Sequence, residues 1–97
     1  MSQADFEAAL SAQGYAPAVL VQQPVGYAMG MHQHPFDAFA LILQGEITIE
    51  VDGISKSYPA GSSFQLPANT PHKESALLQG VSYLAGRKSV NEGVSAS

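Results

Sequence analysis

Apolar and polar positions along this chain follow two different rhythms. Between residues 2 and 14, Phe6, Ala9, Leu10 and Gln13 recur at spacings of three and four, the period of a helix. Ser2 stands where an N-cap belongs, Asp5 follows three residues later as in a capping box, and Gly14 is a natural stop. A helix this short is stable only when docked on something else. After residue 15 the rhythm shortens. β-prone runs at 18–22, 25–31, 39–43, 47–51, 54–58, 62–66, 72–76 and 81–85 are separated by Gly, Pro, Asn and Asp. The clearest run places Ile47, Ile49 and Val51 on one face, with Glu46, Thr48 and Glu50 on the other. Asp52-Gly53 behind it predicts a tight hairpin. No helical stretch separates the strands, so parallel crossover units are excluded and an all-β sandwich or barrel follows. The predicted organisation is a helix over 1–14 packed on a barrel over 15–86. Residues 87–97 show no periodicity and are predicted to be a flexible tail.

Composition narrows this picture. Ninety-seven residues make one domain with one modest core. Charged residues are only 12% of the chain, and the net charge is −4. Lys56, Lys73, Arg87 and Lys88 are scattered, apart from one adjacent pair, which argues against nucleic acid and against an anionic membrane surface. No apolar run approaches the roughly 20 residues that span a bilayer. Residues 1–11 lack a basic segment followed by an apolar one, so a cytoplasmic location is the expectation. The absence of cysteine removes disulfides, thiolate metal sites and a cysteine nucleophile.

The three histidines carry the remaining chemistry. His32 and His34 are one residue apart, which on a strand turns both imidazoles to the same face. His72 lies far along the chain, where a neighbouring strand would bring it to the same point. Three neutral imidazoles suit zinc, iron, copper or nickel, whereas magnesium and calcium prefer oxygen ligands. Taken alone, a His-x-His pair is better read as two ordinary hydrogen-bonding histidines.

The spacing around these histidines is more specific. Gly26 is followed by five residues, His32-Gln33-His34, three residues, Ala38, six residues and Gly45. Further on, Gly61 is followed by five residues, Pro67-Ala68-Asn69, two residues, His72, three residues and Ala76. This pair of segments resembles the two motifs of the cupin family, and the resemblance runs over residues 26–76. It implies a small antiparallel jelly-roll β-barrel. It also implies one divalent transition metal (Fe, Ni, Zn, Cu or Mn) held by His32, His34 and His72. Ala38 stands where the family pattern has a metal-binding Glu, Asn69 where it has Gly, and Ala76 where it has Asn. Asn tolerates the left-handed backbone, so the turn is expected to survive. Asp37 is adjacent to the missing Glu. A regular strand points it to the opposite face, and only a bulge or loop would turn it inward as a ligand.

Three histidines with open positions form an accepted metal arrangement, and the resemblance includes three-histidine iron dioxygenases. The function implied is a metal-dependent, dioxygenase-like enzyme acting on a small organic molecule, with isomerase or lyase chemistry behind it. The alternative is a non-catalytic module that binds a small molecule or a metal. Strand phase predicts the pocket wall: Ala28 and Gly30 in step with His32, and Ala38, Ala40 and Ile42 in step with one another. The opposite phase, including Tyr27, Met29, Met31, Phe39, Leu41 and Leu43, is also apolar and needs its own cover. That cover is either the N-terminal helix or a second subunit, and a homodimer is the expectation.

Overall fold

The computed structural model describes residues 1–90. Helix α1 spans Gln3–Ala12 and begins as the sequence suggests, with the Asp5 N–H donating to Ser2 Oγ at 3.1 Å. Seven strands follow: β1 Val19–Gln23, β2 Tyr27–His32, β3 Phe36–Val51, β4 Ile54–Pro59, β5 Ser63–Leu66, β6 His72–Ala76 and β7 Val81–Ser89. All pairings are antiparallel, in the order β1-β7-β3-β6-β2, with β4 and β5 also paired to β3. The fold is therefore the predicted all-β curled barrel with one short N-terminal helix.

β3 organises this barrel. The sequence pattern predicts two strands, 39–43 and 47–51, but they form one strand of 16 residues. Its first half pairs with β7 and β5, and its second half with β4 and β6. The pairing with β7 is irregular between Ile42 and Gln44, and Gly45 adopts φ +76°, which lets the strand turn from one sheet into the other without a break. A side chain at Gly45 would strike the carbonyl oxygen of Gly80. Asp52 and Gly53 both have positive φ, the requirement of the tight hairpin turn that joins β3 to β4.

Two apolar clusters lie on opposite faces. Ile42, Ile47, Ile49, Leu66, Ala76 and Val81 fill the inside. Phe6 and Leu10 of α1 meet Phe39 and Leu41 on the outside, with the Phe6 and Phe39 rings edge to face at 4.9 Å. The cover for Phe39 and Leu41 is thus the chain's own helix. The tail boundary needs correction. Arg87, Lys88 and Ser89 belong to β7, where they pair with Ala38, Asp37 and Phe36. Arg87 is exposed there, with its guanidinium over the Phe36 ring at 4.5 Å. The rest of the predicted tail, residues 91–97, lies outside the described residues. Among the described residues no helix is long and apolar enough to cross a membrane.

Gly45→Ala would put a Cβ against backbone at a left-handed position. The expected cost is at least about 2 kcal/mol, read as a melting midpoint lower by ~8 °C or more. An unchanged midpoint would show that the corner does not depend on glycine.

Candidate metal centre

Strand β2 sets the site through an irregularity. Tyr27, Ala28 and Met29 pair in order with Ala76, Ser75 and Glu74, but the next paired position is His32 with His72. Gly30 and Met31 together therefore oppose Lys73, which is a β-bulge. Tyr27 packs on the inner core, so the inward phase is odd-numbered before the bulge. After it the phase is even-numbered, and His32 faces inward beside the buried His72. Two predicted wall residues are corrected by this shift. Ala28 pairs with Ser75 and sits exposed on the outer face, and Gly30 lies in the bulge with open space where a Cβ would be. The predicted phase assumed an unbroken strand. Ala38 packs against the inner cluster, Ile42 belongs to it, and Ala40 is buried between them in the same phase.

The three histidines converge. One ligand atom from each of His32, His34 and His72 lies within 4.8 Å of the others. The ring centroids are 4.2 Å apart for His32 and His72, and 5.1 Å for His34 and His72. His32 Nδ1 contacts the Gly30 carbonyl at 2.7 Å, and His72 Nδ1 contacts the Thr70 carbonyl at 2.9 Å. A carbonyl can only accept, so each Nδ1 donates its proton there and Nε2 is the nitrogen turned to the other side of the ring. Such backbone acceptors are the usual partners of metal-binding histidines. The His34 ring stacks flat on Phe36, with centroids 4.4 Å apart and planes 4° from parallel. Its carbonyl accepts the Asn69 N–H at 2.8 Å, tying the two histidine segments together. Asn69 has φ +61°, so it does hold the left-handed turn.

Asp37 is not part of this cluster. Its Oδ1 accepts the Ala68 N–H at 2.8 Å and so anchors the loop before His72. It alternates with inward-packed Ala38 along a regular stretch of β3, and no bulge turns it round. The residue that pattern reasoning missed is Glu74. Its carboxylate Oε1 lies 3.8 Å from His32 Nε2 and accepts a hydrogen bond from the Tyr27 hydroxyl at 2.7 Å. The available signal was the spacing His72-Lys73-Glu74, which on a strand puts His72 and Glu74 on one face.

These groups influence one another. Burial, with the neighbouring His72 and His32, holds the His34 imidazole below its usual protonation range, opposed by a Phe36 backbone hydrogen bond and by Glu74. Burial and the nearby Glu74 carboxylate push the Tyr83 hydroxyl up to about 12. Burial and the Glu74 hydrogen bond push Tyr27 upward as well. Both phenols therefore remain protonated donors near neutral pH.

An open cavity of about 550 Å³ is lined in part by Ile49, Val51, Tyr58, Phe64, Leu66 and Thr70, and none of the three histidines lines it. Ile49 is the direct partner of Glu74 across β3 and β6, and the Thr70 carbonyl is the one that holds His72. A separate hollow of about 330 Å³ is bordered by Ala28, Gly30, Thr48 and Ser75, and Glu74 also borders it.

A curled antiparallel barrel with three histidines gathered inside defines a class of small β-barrel proteins. Residues 19–77 match the cupin domain family, and the chain belongs to it. No curated protein matches the sequence significantly. Among solved structures, KdgF from Halomonas sp. is similar with a TM-score of 0.66 and 24% identity, over 79% of this chain and 71% of that one. The DMSP lyase DddQ from Ruegeria pomeroyi DSS-3 gives 0.68 and 25%, over 77% of this chain and 39% of that one. The oxalate decarboxylase of Bacillus subtilis, which has Mn(II) centres, gives 0.66 and 21%, over 74% of this chain and 20% of that one.

The depressed His34 protonation carries a pH dependence. Between its folded value and the ordinary value near 6.5, the unfolded chain binds more protons than the folded one, so stability rises with pH. The stabilisation is complete above about pH 6.5 and is lost as the pH falls from there through the lower folded value. Urea unfolding of chelator-treated protein should give a lower midpoint at about pH 5.5 than at about pH 7.5, with a smaller difference in His34→Ala. Equal differences in the two proteins would remove His34 as the cause.

Proposed function

We propose that this cupin holds one divalent transition metal on His32, His34 and His72 and acts on a small organic molecule. The observation that carries the reading is the convergence of the three imidazoles within 4.8 Å. The donor set fits such an ion. Two rings have Nδ1 committed to backbone carbonyls, which leaves Nε2 available, and no thiolate or oxygen cage competes. When bound, the ion supplies Lewis-acid or redox chemistry.

The chain's own residues do the rest. Phe36, stacked on His34 and capped by Arg87, holds that ring in place. Ile49, Val51, Phe64 and Leu66 offer an apolar wall to the body of a ligand. Tyr27 holds its proton at the hydroxyl, directed at Glu74, beside the His32 edge of the cluster. This pair supplies polar groups next to the metal position, which favours an enzyme over a passive container. A dioxygenase-like reaction is the form we propose, with isomerase or lyase chemistry second. The fold shared with a lyase and with a decarboxylase that has Mn(II) centres does not select the reaction. The mostly aliphatic inner cluster favours a second reading, a module that binds a small molecule or a metal without turnover. We also propose a homodimer, supported by β1, an edge strand on which Val19 and Leu20 stand exposed.

The test is the metal content of protein purified without added metal. Near-stoichiometric iron, nickel, zinc, copper or manganese is expected, and its loss in the His32→Ala, His72→Ala double variant. Absence of any bound metal, with no thermal stabilisation by added ions, would sink the reading. Turnover of small-molecule panels by the loaded protein then separates enzyme from binding module.

A further inference from the structure

We propose that Glu74 supplies the carboxylate ligand that the first histidine segment lacks at Ala38. The ligand set becomes three histidines and one carboxylate, with the acid moved from β3 to β6. The inference rests on the metal reading above.

Four observations carry it. Glu74 shares the inner face of β6 with His72, and its register partner on the adjacent strand β3 is the buried Ile49. Its Oε1 is 3.8 Å from His32 Nε2. Two ligands at about 2.1 Å from one ion lie roughly 3–4 Å apart, depending on the angle between them. The side chain is only 14% exposed, yet the ion pairs among the described residues join Glu74 to His32 and Lys73 to Glu50, with no lysine or arginine at Glu74. A largely buried carboxylate facing neutral imidazoles and protonated phenols has its charge balanced by nothing else in that interior. Finally, Ala38 removes the acid from the position where the family pattern has one. Three neutral imidazoles alone would leave both positive charges of the ion uncompensated inside the barrel.

Tyr27 is then the group that holds Glu74 before the ion arrives. Its hydrogen bond occupies the same oxygen, Oε1, that faces His32. Binding therefore requires the carboxylate to exchange, or share, a hydroxyl for a metal ion.

The experiment titrates apo protein with Co²⁺, followed by visible absorption, and with Zn²⁺ by calorimetry. The proteins are the wild type, Glu74→Gln, Tyr27→Phe, and Glu74→Gln combined with Ala38→Glu. Gln preserves size and can still accept from Tyr27, and melts of the metal-free variants check folding. Glu74→Gln should weaken binding at least about tenfold. Tyr27→Phe should bind at least as tightly as the wild type, because the carboxylate is freed. Ala38→Glu in the Glu74→Gln background should recover affinity by returning an acid to the β3 position. Wild-type affinity in a folded Glu74→Gln protein overturns the proposal and leaves the metal reading standing. Equal losses in Glu74→Gln and Tyr27→Phe also overturn it, assigning Glu74 to the support of Tyr27. A wild type that binds neither ion overturns the metal reading itself.

Discussion

The interior of this barrel depends on two strands that each change phase once. A strand presents alternate residues to opposite faces, so a slip of one residue exchanges its inside and its outside. In β3 the inward residues are Ala38, Ala40 and Ile42 before the corner, and Ile47, Ile49 and Val51 after it. The even set becomes the odd set because the irregularity after Ile42 and the left-handed Gly45 consume the extra residue. Without that switch, the strand would keep Ile42 in the core and turn Ile47 and Ile49 to solvent. Burial of such side chains is worth roughly 1.5–3 kcal/mol each, enough to make the register unambiguous.

The same device in β2 serves the site instead of the core. Tyr27 faces inward ahead of the bulge, and His32 faces inward behind it. A regular strand would have to choose between them. With both inside, a hydroxyl, a carboxylate and three imidazoles share one end of the interior. The bulge also supplies chemistry directly, since the carbonyl of Gly30 within it accepts the Nδ1 proton of His32. His72 repeats the arrangement with Thr70, at the end of the loop that Asp37 and His34 anchor. In both cases an interruption of regular pairing leaves a carbonyl free two residues before a histidine and uses it to orient the ring.

Much of this was legible in the residues. The capped helix, the Asp-Gly hairpin and most strands follow from spacing and turn chemistry, and the gathering of three histidines from the resemblance to the cupin motifs. The wall of the site was less legible, for a physical reason. A bulge is a property of pairing between two strands, and no alternation within one strand records it. Gly30 inside a β-prone run was the available hint. Ala28 and Gly30 were assigned inward because the pattern was extended through that glycine unbroken. Glu74 escaped for the complementary reason. A charged residue between Lys73 and Ser75 reads as solvent-facing until the register shows Ile49 opposite it. The end of β7 was hidden similarly, because Arg87 is held by the face of Phe36 rather than by an alternating partner.

Phe36 connects these local features into one unit. Its ring carries His34 flat on it, and the Arg87 guanidinium also lies over it. Arg87 is paired across β3 to Ala38, the position where the family's acid is missing. The cation near that position therefore packs on an aromatic ring instead of meeting a carboxylate. On the β6 side, the acid Glu74 is held by a phenol instead of by a cation. The two charges are thus held apart. Arg87 is exposed at the end of β7, whereas Glu74 is largely buried, and each has a polar or π partner. A divalent ion placed where the imidazoles converge would meet a negative charge on the β6 side. That asymmetry follows from Ala38 and Glu74 together, and neither residue alone would produce it.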